Sequence, residues 1–234
     1  MSSCEPRVKI LCVADHVDPL VYSASAKERF ADVDLVLSAG DLPMEYLGFI
    51  SASLNRPVLF VFGNHHLKHL SRFRRWGLHH DPGRFNMTAE SPFSNYFGAT
   101  YIGSRVVRVK GLIVGGLGGC RRYNKGENQF TELQMFGRMI RMIPALVWHR
   151  IFHGRSIDIL LTHASPFGVN DRPDPTHIGF RVFLWFLRTF KPRYQLHGHV
   201  HLYDLNANRI AQHAETRVIN VYDHYVLEID QEKQ

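Results

Sequence analysis

The sequence predicts an α/β protein built on layered sheets with at least partly parallel strands. Two observations carry that expectation. Apolar runs of strand length alternate with stretches of helical periodicity along the whole 234 residues, and three such strand-then-helix units crowd into residues 8–65. Composition agrees: 45% apolar and 21% charged residues are ordinary for a chain with a packed core, and they exclude a disordered or fibrous one.

The elements follow in order. Val8–Ala14 reads as a buried strand ending at Asp15, and residues 21–32 as a short helix. Asp34–Ala39 is a second strand ending at Gly40-Asp41, residues 43–54 a helix, and Pro57–Phe62 a third strand ending at Gly63-Asn64-His65. Residues 68–100, rich in Arg, His, Gly and Pro, show no period and read as a loop-rich insertion. Strands resume at Tyr101-Ile102, Val106–Val109 and Leu112–Val114, before a glycine-rich turn and Arg121-Arg122-Tyr123-Asn124.

Residues 131–152 carry Leu133, Phe136, Ile140, Ile143 and Val147 at helical spacing, with Pro144 forcing a kink or break. Ile157–Leu161 is a strand ending at Thr162-His163. Residues 177–190 form a helix with Phe180, Phe183, Leu184, Leu187 and Phe190 on one face. Tyr194–Leu196 leads into His197-Gly198-His199-Val200-His201, and Val218–Val221 and Tyr225–Ile229 close the chain as strands. No repeat, low-complexity tract or linker interrupts the pattern, so residues 1–234 are expected to form one domain.

Charge and cysteine usage narrow the setting. Lys plus Arg number 28 against 21 Asp plus Glu, a net charge of +7, which favours anionic partners without choosing among them. The three cysteines, Cys4, Cys12 and Cys120, have neither metal-ligand spacing nor a disulfide framework and fit a reducing compartment. The polar start lacks the apolar core of a signal peptide, and no apolar run approaches the ~20 residues of a membrane span. A cytoplasmic location is expected.

The chemistry lies in where the ligand-type residues fall. Asp15, Asp41, Asn64, His163, His199 and His201 each sit at or just past the end of a predicted strand. In an open α/β sheet those carboxyl ends line the ligand crevice. An Asp at one strand end is commonly a turn former or helix cap, but six strand ends together are not explained that way. Carboxylates with imidazoles suit divalent Mn, Fe or Zn, and a shared carboxylate would hold two ions roughly 3.5–4 Å apart for phosphoester displacement. His199 and His201 flank Val200; on an extended segment they point to the same side, so one could serve each ion.

Gly40-Asp41, Gly63-Asn64-His65, Thr162-His163 and Gly198-His199-Val200-His201, in that order and spacing, resemble the calcineurin-like metallophosphoesterases, with Asp15 at the start of the first motif. The resemblance runs from residue 8 to about 221, and is closest to the small bacterial-type, phosphodiesterase-like members. It implies a four-layer αββα sandwich with two divalent metal ions, manganese favoured, at the sheet edge. It implies that Asp41 bridges the ions, that Asp15 and His201 hold one, and that Asn64, His163 and His199 hold the other. His65 would approach the phosphate and give a proton to the leaving oxygen.

Two positions depart from the family's pattern. Where the first motif usually reads Asp-x-His, Asp15 is followed by His16 and Val17, so the second ligand position is apolar. Asp18 is the candidate substitute ligand, with water as the alternative. His66 stands where an acidic residue usually follows Gly-Asn-His.

Outside the motifs, Arg121, Arg122, Tyr123 and Asn124 suit either a phosphate clamp or a solvated basic loop. The basic, apolar stretches 138–152 and 180–190 are expected to be helices packed on a sheet. Trp148, Phe152, Trp185 and Phe186 are surplus to one apolar stripe there and leave room for peripheral membrane contact. Arg72, Arg74, Arg75 and Arg84 lack interleaved aromatics, so no specific nucleic-acid groove is expected. The leading expectation is a metal-dependent phosphoesterase acting on a phosphodiester or pyrophosphate-type bond of a phosphorylated small molecule or lipid-linked substrate. The alternative is a weak or inactive protein of that fold serving as an interaction module.

Overall fold

The computed structural model describes residues 7–74, 95–204 and 207–230. Two six-stranded sheets pack face to face. The first runs β14-β1-β2-β3-β5-β4, from β1 (Arg7–Ala14), β2 (Leu35–Ser38), β3 (Val58–Phe60), β4 (Asn95–Tyr96), β5 (Ala99–Tyr101) and β14 (Asp223–Asp230). The second runs β12-β13-β11-β10-β7-β6, from β6 (Arg105–Val109), β7 (Leu112–Leu117), β10 (Ile159–Thr162), β11 (Tyr194–His197), β12 (Ile210–His213) and β13 (Thr216–Asn220). A short parallel pair, β8 (Cys120–Arg121) and β9 (Gln129–Phe130), lies outside both.

Alternation along the strands sorts the core into layers. Ile10, Cys12, Leu35, Leu37, Leu161 and Leu196 meet between the sheets, while their sequence neighbours point outward to helices. α1 (Ala26–Arg29), α2 (Met44–Leu54) and α3 (Leu70–Arg74) cover the first sheet. α4 (Glu132–Ile140), α5 (Ile143–His153) and α6 (Arg181–Phe190) cover the second. The result is the expected αββα order.

The differences from expectation are local. The stretch 21–32 shortens to α1, its buried Val21, Ala26 and Phe30 being carried largely on turns. Residues 131–152 form two helices, because Pro144 cannot continue the first and instead sits in the opening turn of the second. α4 starts at a capping box in which Thr131 and Gln134 satisfy each other's backbone N–H groups. α6 starts at Arg181, later than expected. The segment 68–100 is not all loop: a single 3₁₀ turn (Leu67–His69), α3, β4 and β5 occupy its described ends. Its residues 75–94, with Arg75 and Arg84, lie outside the described residues, as do Cys4 and the Arg74 side chain.

Candidate metal centre

Parallel pairing aligns the strand ends. Val13 pairs with Ser38 and Ser38 with Phe60, so Asp15, Asp41 and Asn64 emerge at one edge of the first sheet. Leu161 pairs with Leu196, so His163 and His199 emerge together from the second. Backbone joins the two edges where Gly119 N–H donates to the Phe62 carbonyl, and within the second sheet Gly198 N–H donates to the His163 carbonyl.

Three residues turn the chain sharply where they leave the strands. Asp15, Asp41 and His199 have φ of 66°, 56° and 66°, the left-handed region that costs non-glycine residues energy and recurs at functional sites. The glycines beside them leave space for side chains. A Cβ on Gly63 would lie 2.0 Å from Asp41 Oδ1, and one on Gly198 would lie 2.2 Å from Asp15 Oδ2.

The donors then converge. One ligand atom each from Asp41, His163 and His199 lies within 4.8 Å of the others. His163 Nε2 is 3.3 Å from Asp41 Oδ2 and 3.1 Å from Asn64 Oδ1. Asp15 accepts the His199 backbone N–H at both oxygens, 3.0 and 2.9 Å. His201, its side chain 39% exposed, places Nε2 4.0 Å from Asp15 Oδ1.

Tautomers follow from the outer contacts. The Ala39 carbonyl accepts from His163 Nδ1 at 2.9 Å, and the Thr176 carbonyl from His199 Nε2 at 2.7 Å. Each imidazole therefore turns its other nitrogen to the cluster. At His163 that nitrogen faces two oxygens, Asp41 Oδ2 and Asn64 Oδ1, and in the absence of a cation it holds a proton between them. With that proton released, the set fits a divalent cation.

Without a cation the same crowding shows as displaced titration. Burial, helped by Asp41, pushes Asp15 up to about 7. Burial also works to raise Asp41, but His163 beside it and the His65 N–H outweigh that and hold the carboxyl well below the usual range. Burial would lower His163, yet Asp41 carries it up to about 9. Burial and the His163 charge push His199 down to about 3, and burial lowers His201.

The remaining expected residues divide. His65 keeps an exposed side chain while its backbone N–H donates to Asp41 Oδ1 at 2.7 Å. Asp18 does not join the cluster: Oδ1 accepts the Leu20 N–H at 2.8 Å and Oδ2 pairs with His224. Val17 packs against the core under the first sheet, and His16 pairs with Asp223. Of the glycine-turn quartet, only Tyr123 touches a site residue, its hydroxyl accepting from Asn64 Nδ2 at 3.3 Å. Arg122 is held by Gln134 and the Gln129 carbonyl, and Asn124 by Gln129 and Gly126. Arg121 runs in β8 against Phe130. Arg122 and Asn124 thus hold this loop together.

The sequence reading missed several supports. Tyr222 lies against His201 with ring centroids 5.0 Å apart and the rings tilted by 32°. Asp174 gathers its loop by accepting from the Thr176 and His177 N–H groups and His177 Nδ1, which presents the Thr176 carbonyl to His199. Its signal was the Pro-Asp-Pro-Thr run, a turn-forming sequence inside a stretch read as approaching a helix. Asn128 anchors the loop after β8 by donating to the Phe62 and Gly63 carbonyls.

Comparison with known proteins bears on the fold and the family. One solved crystal structure matches at a TM-score of 0.64 and 14% identity, covering 97% of each chain. The crystal structure of the Thermus thermophilus protein TT1561 matches at 0.58 and 12% identity, covering 93% of this chain and 90% of that one. These likenesses concern the fold alone. No curated protein matches the sequence significantly. The family model of the calcineurin-like phosphoesterases matches residues 8–203, nearly all of the strands that carry Asp15, Asp41, Asn64, His163 and His199, and the chain belongs to that family.

Proposed function

We propose that this protein hydrolyses a phosphodiester or pyrophosphate-type bond with two divalent ions, manganese favoured. The supporting observation is the convergence of Asp41, His163 and His199 within 4.8 Å, with Asn64, Asp15 and His201 around them. In this reading Asp41 is shared by both ions, Asp15 and His201 serve one, and Asn64, His163 and His199 the other. The ions would supply Lewis acidity toward the phosphoryl oxygens and a water acidified toward neutral pH.

The chain's own groups do the rest. The His199 N–H orients Asp15 and the His65 N–H orients Asp41. The exposed imidazole of His65, next to Asn64 in the chain, is the group assigned to protonate the leaving oxygen. The net charge of +7 favours an anionic substrate, a phosphorylated small molecule or a lipid-linked one. The test is turnover of bis-p-nitrophenyl phosphate with Mn²⁺, Fe²⁺, Ni²⁺ or Zn²⁺. No turnover with any of them, and none of p-nitrophenyl phosphate, overturns the reading.

One observation favours a second reading, a non-catalytic interaction module. Val17 is an apolar, partly buried side chain packed against the core and Asp18 is engaged by His224, so among the described expected ligands Asp15, Asp41 and His201 remain for the first ion. Metal analysis after reconstitution separates the readings: about two ions per chain supports the hydrolase, and none supports the module.

A further inference from the structure

The outer face of the second helical layer carries a surface that the hydrolytic site does not use. α4, α5 and α6 turn Met135, Met139, Leu146, Phe183 and Phe186 onto the sheet, all fully buried. Phe186, a candidate for membrane contact on sequence grounds, is thus a core residue. The opposite side of α5 exposes Val147, Trp148, Ile151 and Phe152, the last two 69% and 58% exposed. Those positions form one stripe along a helix. Leu133 and Ile140 of α4 and Trp185 of α6 are exposed on the same layer, Leu133 at 78%.

The charges this helical layer exposes are basic. Arg141 lies between α4 and α5, Arg150 lies on α5, and Arg181 and Arg188 lie on α6, all exposed. The three helices hold a single carboxylate, Glu132. It is turned to the start of α6, where it accepts the backbone N–H groups of Arg181 and Val182 at 3.0 and 3.1 Å. Among the described residues none of the four arginines pairs with a carboxylate.

We propose that the outer face of α4–α6 docks the protein on an anionic phospholipid bilayer. Apolar and Trp side chains flanked by arginines, on helices lying parallel to a surface, match the acyl–headgroup boundary. Each arginine near an anionic leaflet strengthens binding about fivefold. Charge also argues against a second copy of this chain as the occupant: a two-fold contact would set arginine against arginine with no carboxylate to relieve them. No described helix is long and apolar enough to cross a membrane, so the contact is peripheral. It is independent of the hydrolytic reading.

The experiment is co-sedimentation of the full chain with phosphatidylcholine vesicles, with and without phosphatidylglycerol. Binding only to the anionic vesicles, weakened by salt, is expected. The double substitution Ile151→Ser/Phe152→Ser should weaken it at least tenfold, and so should Arg141→Glu/Arg150→Glu, while the circular dichroism and melting temperature of the arginine pair stay those of the parent. The arginine pair alters no buried group and keeps the test decisive if the apolar pair folds poorly. Equal binding to both vesicle types, no binding, or variants that bind like the parent overturns the proposal. So does a dimer in light scattering that the same substitutions dissociate.

Discussion

His163 stands between Asp41 and Ala39, with Nε2 3.3 Å from the Asp41 carboxylate and Nδ1 2.9 Å from the Ala39 carbonyl. In the metal-free chain the ring is held charged to about 9. A raised histidine pKa stabilises the fold fully below the unfolded value of about 6.5 and loses that contribution as pH rises through the folded value. Melting temperature in EDTA should therefore fall between pH 6.5 and 9. Asp41→Asn removes the largest influence raising the His163 pKa and leaves burial opposed only by Asp15 and the Ala39 carbonyl, so the decline between pH 6.5 and 9 should shrink or vanish. A flat profile for the parent chain contradicts the ion pair.

Asp41→Ala should remove bound metal and all activity, because the carboxylate is the part of the cluster proposed to serve both ions. Metal analysis beside bis-p-nitrophenyl phosphate turnover checks this. Retained stoichiometry would show that the site is assembled without it.

His65→Ala should keep the metals and slow turnover by roughly 10²–10⁴. The alanine preserves the backbone N–H that holds Asp41, so only the exposed imidazole is lost. An unchanged rate, or lost metal, defeats the proton-donor role.

Asp18→Ala should behave as a fold mutation. Its carboxylate is buried and serves Leu20 and His224, so stability should drop by about 1–3 kcal/mol with metal stoichiometry unchanged. Metal at the Asp15–His201 side should still be lost first on dialysis, since that side has fewer protein donors and a part-exposed histidine. Loss of one ion from the Asp18 variant alone would restore it as a ligand.

Gly63→Ala should disturb the centre directly, because the new methyl group would occupy the place of Asp41 Oδ1. Overpacking of this kind typically costs about 1–3 kcal/mol. The expected signature is weakened metal binding together with a lower melting temperature.

Much of this site was legible because strands announce their ends. The runs before Asp15, Asp41 and Asn64 are apolar enough to fix both the strand and the edge where each ligand emerges. Partners distant in sequence were not legible. Nothing local to Asp18 reveals His224, and nothing local to His199 reveals the Thr176 carbonyl. The left-handed backbone at Asp15, Asp41 and His199 was equally hidden, as was the close approach of Asp41 to Gly63 and of Asp15 to Gly198, which belong to other strand ends. β12, with Ile210 and Ala211 before polar Gln212 and His213, has too little apolar alternation to announce itself and is a strand because Thr216–Asn220 pairs with it.

The pairing of β1 with β14 sets an order of events in folding. His16 and Asp223 are 207 residues apart, Asp18 and His224 206, so these contacts close nearly the longest loop the chain offers. Contacts of that separation form slowly and late. During synthesis β1, β2 and β3 emerge long before the strand that completes their sheet, leaving β1 with an unpaired edge. A partly made chain therefore holds Asp15 and Asp41 without His163 and His199, and the metal centre can assemble only after β10 and β11 have emerged.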